Sequence, residues 1–424
     1  MIALRRYPFG FTTTQLERPN TPSVNTHHIC LPFDSETHYA ACLNDTAQFR
    51  LFLQAQFAAH PELFPLAFAR GFQWHSRYRL KKQQLDLRRI KLTATKQVFA
   101  IRPSFILPYA IAKTDDIEKA LYLRQWGVPF EALEYVFGRS ASFYQRAWLQ
   151  LGRPSLLGTT VKDPARLPAH LVADEKVTWL DGQEVYATTT VAGGCFLGVG
   201  LARELTAESL GSGYGEFKQE ARQLKADYSP QTVCTDGLRA TRLAWQQLFP
   251  RVCLVLCFLH GVMKIAERCR GELRREVLDR VWDCYEAASR GEFSQRLRRL
   301  SEWAVAKLEG AVRQMTLKMY EQGRNYAAAY EQVGCARTTN AVDRLMNQQD
   351  RVLYAMRYLH GDGEKARLSL RAMALQWNFH LYGRRLRSAE PERRSPFADV
   401  NGYEYHENWL HNLWIAASLG GHRL

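Results

Sequence analysis

Residues 171–202 read LVADEKVTWL-DG-QEVYATTTVA-GG-CFLGVGLA. Three runs rich in β-branched and aromatic residues are separated by Asp181-Gly182 and Gly193-Gly194, two-residue signals for tight hairpins. The stretch therefore predicts an antiparallel meander of three strands. Downstream, ESLGSGYGEFKQEARQL has a helical pattern, TVCTD is a short buried strand, ATRLAWQQLF is a helix and VCLVLC a second buried strand. Helix-crossed strands after a meander imply a mixed α/β sheet.

One charge inside the first strand draws attention. Asp174 interrupts an apolar run, and a buried carboxylate there needs a compensating partner, of which a metal ion is one. Asp236 ends TVCTD and is followed by Gly237, at the strand-end position where α/β folds gather ligand sites. An ordinary Asp-Gly turn would look the same. Asp343, in RTTNAVDRLMNQQDR, is the third acid, with Asn347 and Asp350 at helical spacing on the same polar face. Asp350 is the alternative third ligand. Asp181 and Asp163 are rivals for the first position, but Asp181 is explained by its turn and Asp163 lies in a polar linker. Carboxylates from different elements are the hard ligands that magnesium prefers, and a pair of such ions can activate water and neutralise a leaving oxygen in phosphodiester cleavage.

After the sheet, residues of about 264–332 are helical and densely charged with interspersed signs, predicting an all-helical insertion with a solvated face. Helices follow over TTNAVDRLMNQQDRVLYAMRYL and KARLSLRAMALQWNFHLYG. Residues 383–424 predict a loose tail that carries a short aromatic helix, ENWLHNLWIAA, suited to core or subunit contact.

Upstream, residues 1–45 have the mixed polarity of an irregular arm, and 46–112 predict short helices followed by strands. Between Arg70 and Arg102 there are ten Lys/Arg against one acid, Asp86. Such a ribbon, with Arg88, Arg89 and Lys91, could follow a DNA backbone, and it could equally be a charged sheet edge protected from aggregation. Residues 113–153 predict a helix-turn-helix: Thr114 and Asp115 cap a first helix, Gly127 ends it, Pro129 starts a second and Gly138 closes that. The last helix, SASFYQRAWLQLG, places Phe143, Ala147, Trp148 and Leu151 on one face. Gln145, Arg146 and Gln150 are left outward, with Arg139 nearby, for DNA contact. A plain three-helix packing unit would give the same pattern. Residues 154–168 read as a linker.

The 424 residues carry 57 Lys/Arg against 42 Asp/Glu, a net charge of +15 that suits a polyanionic partner. No apolar run reaches the length of about 18 residues needed for a membrane span, and the N-terminus lacks a secretory pattern. The nine cysteines are an odd set without a C-x-x-C pair, which predicts buried free thiols. These features imply an intracellular protein without a membrane partner.

The ordered motifs ADEK with its GQEVY hairpin, TVCTDG, CFLH and RTTNAVDR resemble the catalytic domain of DDE/D transposases of bacterial insertion sequences, near the Mutator-type superfamily. The resemblance covers about 168–382, with a looser likeness upstream. It implies a ribonuclease H-like α/β domain over 169–382, with Asp174, Asp236 and Asp343 as catalytic metal ligands and Mg2+ as cofactor, replaceable by Mn2+. Cys257 and His260 match its Cys-x-x-His step, a structural element beside the site. His260 could contact a substrate phosphate or orient a carboxylate, or simply be a hydrogen-bonded core histidine. Relatives mostly carry Glu at the third position; Asp343 is shorter by one methylene, roughly 1 Å of reach. The function implied is strand cleavage and strand transfer at terminal inverted repeats of double-stranded DNA by a cytoplasmic, nucleoid-associated homodimer or larger homo-oligomer. A non-catalytic helix-turn-helix regulator and a ribonuclease H-like structure-specific nuclease are the alternatives.

Overall fold

The computed structural model describes residues 27–108 and 112–422. Residues 1–26 of the expected arm lie outside the described residues. The rest of that arm is not irregular: β1 (His28–Leu31) and α1 (Glu36–Asn44) are regular elements, and Ile29, Cys30 and Leu31 are fully buried. Ser35 caps α1 by accepting from the His38 N–H, and Asp45 caps α2 (Thr46–Ala59) in the same way through Ala47 and Gln48. Strand β1 exists because it pairs in parallel with a strand some 70 residues later, and local sequence carries no trace of that.

The basic ribbon forms β2 (Phe72–Leu80), β3 (Leu85–Leu92) and β4 (Val98–Pro103), and the sheet runs β1-β4-β3-β2. Next come α3 (Thr114–Arg124), α4 (Phe130–Phe137) and α5 (Ala141–Leu151), with Gly127 (φ 85°) and Gly138 (φ 77°) in the left-handed turns that separate them. Thr114 is already inside α3, and its hydroxyl donates to the Ser104 carbonyl at 2.6 Å in place of capping the helix. The buried face of α5 is Tyr144, Ala147, Trp148 and Leu151; Phe143 is only half-buried.

The expected linker is partly interior. Helix α6 (Leu156–Thr160) is wholly buried, and a Cβ at Gly158 would lie 1.9 Å from the Gly421 carbonyl oxygen, so the C-terminus packs directly on it. Strands β5 (His170–Leu180), β6 (Gln183–Ala192) and β7 (Cys195–Ala202) form the expected meander. Both hairpin dipeptides have two positive φ angles, 48° and 80° at Asp181-Gly182 and 57° and 75° at Gly193-Gly194, as the tight turn demands. After α7 (Ala207–Leu224), β8 (Thr232–Thr235), α8 (Arg239–Leu248) and β9 (Cys253–Leu256), the second sheet has the order β7-β6-β5-β8-β9, with β8 parallel to β5 and β9 parallel to β8.

Helices α9 (Phe258–Ala266), α10 (Gly271–Tyr285), α11 (Arg290–Lys307), α12 (Gly310–Glu321) and α13 (Gly323–Ala327) make the expected helical layer. It has a core of its own, built on Val277, Val281, Phe293, Leu297 and Leu300. The chain returns through α14 (Asn340–Ala355) and α15 (Gly363–Phe379). Asn378 of α15 closes the open edge of β7, accepting from the Phe196 N–H and donating to the Phe196 carbonyl at 2.8 and 2.7 Å.

Helices α16 (Arg384–Ala389), α17 (Pro396–Asn401) and α18 (Trp409–Ala416) complete the fold. The segment expected to be loose contains α16 and the largely buried α17, and the aromatic helix expected after it lies in the core. Every residue of α18 is buried; His411 bonds Ser104 and Asp115, and Ser418 donates to the Leu63 carbonyl while accepting from the Cys30 N–H. One buried cluster runs from Ile29 through Trp148 and Val172 to Trp414, so the segments 46–112, 113–153, 169–382 and 383–424 share a core. All nine cysteines are free, seven of them buried, and no helix among the described residues is long and apolar enough to cross a membrane.

Candidate metal centre

The parallel strands determine where the acids meet. Val172 of β5 pairs with Cys234 of β8, and two residues further along each strand stand Asp174 and Asp236. Because side chains repeat every second residue, this register brings both acids to the same level and the same face. Thr235 pairs with Leu256, so Cys257 is the next residue at that level on the third strand. Asp236 and Cys257 directly follow the carboxyl ends of β8 and β9, where α/β sheets open toward ligands, and Asp174 stands in mid-strand just past the point where β5 stops pairing with β8.

Each acid is fixed differently. Asp236 accepts from the Leu238 N–H at 2.8 Å, which closes the expected Asp-Gly turn. Gly237 is demanded there twice over: its φ is 93°, and a Cβ would lie 2.2 Å from Leu256 Cδ1. Asp174 accepts from the Glu175 N–H at 2.9 Å. Glu175, the neighbour that sequence reading passed over, accepts at 2.9 Å from the Tyr214 hydroxyl of α7 and also from the Thr241 hydroxyl of α8. Carboxylate oxygens of Asp174, Glu175 and Asp236, all three partly buried, come within 4.8 Å of one another. This acidic triad can hold a metal ion. Its donors are all hard oxygens, and no thiolate is among them. The acidic pair in ADEK was the only available signal for Glu175; its two anchoring hydroxyls are 39 and 66 residues away in sequence.

The field at the triad reflects crowded negative charge. Burial, then the charges of Asp236 and Asp343, push the Asp174 carboxyl up to about 6. Burial pushes Glu175 up to about 7 against the hydrogen bonds from Thr241 and Tyr214. Asp343, in the first turn of α14, lies outside the 4.8 Å group, yet its charge is felt at Asp174. Its own carboxyl is raised by burial, with His260, Thr339 and Lys176 opposing the rise.

Cys257 and His260 link α9 to the start of α14. The Thr339 N–H donates to Cys257 Sγ at 3.2 Å, and the Thr339 hydroxyl stands 3.4 Å from His260 Nδ1. Burial would raise the Cys257 thiol, but hydrogen bonds from His260 and Thr339 outweigh it and hold the thiol below its usual range. His260 is raised by its bond to Cys257 against burial, with the charges of Asp174 and Asp236 adding to the rise.

The rival acids are engaged elsewhere. Asp350 is ion-paired with Lys176, Asp181 accepts from the Gly361 N–H at 3.1 Å, and Asp163 caps the turn 164–166 through the Ala165 N–H. The residues expected to meet DNA are distributed over two surfaces. On α5, Gln145 and Arg146 are exposed; Gln150, expected outward, is half-buried with its carbonyl oxygen enclosed and unpaired, because α5 packs more of its circumference than a single stripe. Arg139 lies over the Phe143 ring at 4.8 Å and 3.6 Å from Asp116. On the ribbon, Arg88 stacks on Trp74 at 4.7 Å and Arg89 on Tyr78 at 5.4 Å, with Lys91 half-buried in the same strand. The arginines are therefore partly spent on their own sheet. No family model matches the chain, and no curated protein matches it in sequence.

Proposed function

We propose that this protein is a DDE/D-type transposase with a ribonuclease H-like catalytic domain, binding the ends of a mobile element and carrying out metal-dependent cleavage and strand transfer. The observation that carries the reading is the parallel register that sets Asp174 of β5 beside Asp236 at the carboxyl end of β8, with Asp343 contributing charge from a returning helix. The strand order β7-β6-β5-β8-β9 and the +15 charge support it. Gln145 and Arg146, exposed on α5, fit the helix-turn-helix reading of DNA contact.

Magnesium is the ion that suits this donor set, with manganese as a substitute, and Asp174, Asp236 and Asp343, joined by Glu175, would hold it. Held there, a divalent ion would supply activation of a water or a 3' hydroxyl and neutralisation of the leaving oxygen. The chain's own task is positioning. Tyr214 and Thr241 fix Glu175, the turn at Gly237 fixes Asp236, and Thr339 fixes both Cys257 and His260. His260, raised by its neighbours, is suited to a phosphate oxygen or to Asp343.

Asp174→Asn tests the reading. Loss of several kcal/mol of charge stabilisation corresponds to a rate loss on the order of a thousandfold or more, with DNA binding retained. Cleavage of an inverted-repeat end at wild-type rate by that variant would refute the assignment. Tight binding by the wild type without any cutting in Mg2+ or Mn2+ would favour the regulator.

A further inference from the structure

A cavity of about 130 Å3 opens beside the triad, between the sheet and the helical layer. Asp236, Gly237, Cys257 and His260 form one end, and Lys264 of α9 with Lys318 of α12 form another part of the lining. Met315 and Met319 supply an apolar wall. The glycine at 261 lets the helices close around this space: a Cβ there would lie 2.6 Å from Met319 Cε and 2.8 Å from the Tyr326 hydroxyl oxygen.

Some cations of this layer are matched with acids, as in Arg280–Glu276, Arg296–Glu292 and Arg290–Glu331, while others, such as Arg274, Arg313 and Lys307, have no ion pair among the described residues; what sets two of the latter kind apart is their place at this cavity. Lys264 and Lys318 are exposed cations without an ion pair among the described residues, and both line the same cavity as Asp236 of the triad. Two unpaired ammonium groups next to a cluster of carboxylates make a bipolar site. A simple anion would be repelled from the acidic end, whereas a chain of phosphates with one member at a metal would be accepted at both. The volume is well below the roughly 300 Å3 at which small-molecule pockets begin, so the space suits one group of a longer ligand.

We propose that this cavity receives a backbone phosphate of the nucleic-acid strand undergoing cleavage, with Lys264 and Lys318 as its ligands and the methionines against the adjoining sugar. The inference rests on the nuclease reading of the triad and extends it by giving the helical layer a role in placing the strand. Lysine suits such a contact because its flexible point charge follows a phosphate without fixing a base sequence.

The test is the salt dependence of DNA binding, measured by fluorescence anisotropy on the full chain in Ca2+, which fills oxygen-ligand sites, with a duplex carrying a 3' single-stranded extension. Each phosphate contact contributes about 0.7 to 0.9 to the slope of log affinity against log salt. Lys264→Gln/Lys318→Gln should therefore lower the slope by about 1.4 to 1.8, while Lys307→Gln, an exposed lysine away from the cavity, should leave it nearly unchanged. A double variant with the slope of the Lys307→Gln control overturns the proposal. If the slope falls as expected but the wild type leaves element ends uncut in Mg2+ and Mn2+, the cleavage reading fails and the phosphate site stands. Normal cleavage with an unchanged slope overturns the cavity assignment alone, and a protein without affinity for DNA overturns both.

Discussion

Helix α7 touches two sets of partly buried carboxylates that have been treated in opposite ways. Its Glu216 and Glu220 meet Arg371 of α15 at 3.2 and 2.6 Å, and Arg371 also donates to the carbonyls of Gly152 and Pro154, so every strong group in that network has a partner. Its Tyr214 holds Glu175, which stands with Asp174 and Asp236 and no cation in the group. The first set ties α5, α7 and α15 together. The second stores unfavourable charge at an edge open to ligands, and uncompensated buried acids of this kind identify a site more surely than their number does.

Removing a charge should consequently have opposite effects in the two places. Arg371→Ala leaves Glu216 and Glu220 enclosed without their cation and should cost about 3–5 kcal/mol in urea unfolding. A loss below about 1 kcal/mol would erase the distinction. At the triad, Asp174→Asn should raise the stability of the metal-free protein at pH 8 by on the order of 2 kcal/mol, since it removes the charge that burial and its neighbours oppose.

The pH dependence follows from the same sign. Asp174 and Glu175 have folded pKa values of about 6 and about 7, above their ordinary values of 3.8 and 4.5. The folded state therefore binds these protons more tightly; the stability they allow is complete below about pH 4 and is lost as pH rises through 6 to 7. Melting of metal-free protein should show this loss, and Mg2+ should restore stability at pH 8 far more than at pH 5 because protons and metal compete for the same oxygens. Equal effects of Mg2+ at both pH values would place its binding elsewhere.

A smaller effect separates the two third acids. In calorimetric titration with Mn2+, Glu175→Gln should weaken binding about 10- to 100-fold, a range typical of losing a group that supports a metal site. Asp343→Asn should weaken it less, because Asp343 lies outside the close group of oxygens. The reverse order would restore Asp343 as the principal third ligand.

Much of this arrangement was legible because its signals are local. Asp181-Gly182 and Gly193-Gly194 dictate two tight turns, apolar runs dictate strands, and Gly138 dictates a helix end, each through a dihedral preference or a period carried by a few adjacent residues. Asp174 stood out for the same reason, as a charge inside an apolar run. The C-terminal helix was legible as an aromatic helix suited to core contact, but its partners were not, since that end of the chain bonds Cys30, Leu63, Ser104 and Asp115, hundreds of residues away. Likewise, β1 is a strand only by virtue of β4, and α6 is interior only because the chain end packs on it.

Sequence alone thus determined the meander, the crossing helices and the identity of the charged residue that cannot be there without a reason. Tertiary structure alone decided which acids become neighbours. The pairing of Val172 with Cys234 sets the level of Asp174 and Asp236, and hydroxyls from two other helices hold Glu175, an oxygen of which lies within 4.8 Å of theirs. Propensity acts over a few residues, whereas strand register and charge proximity are properties of the assembled sheet.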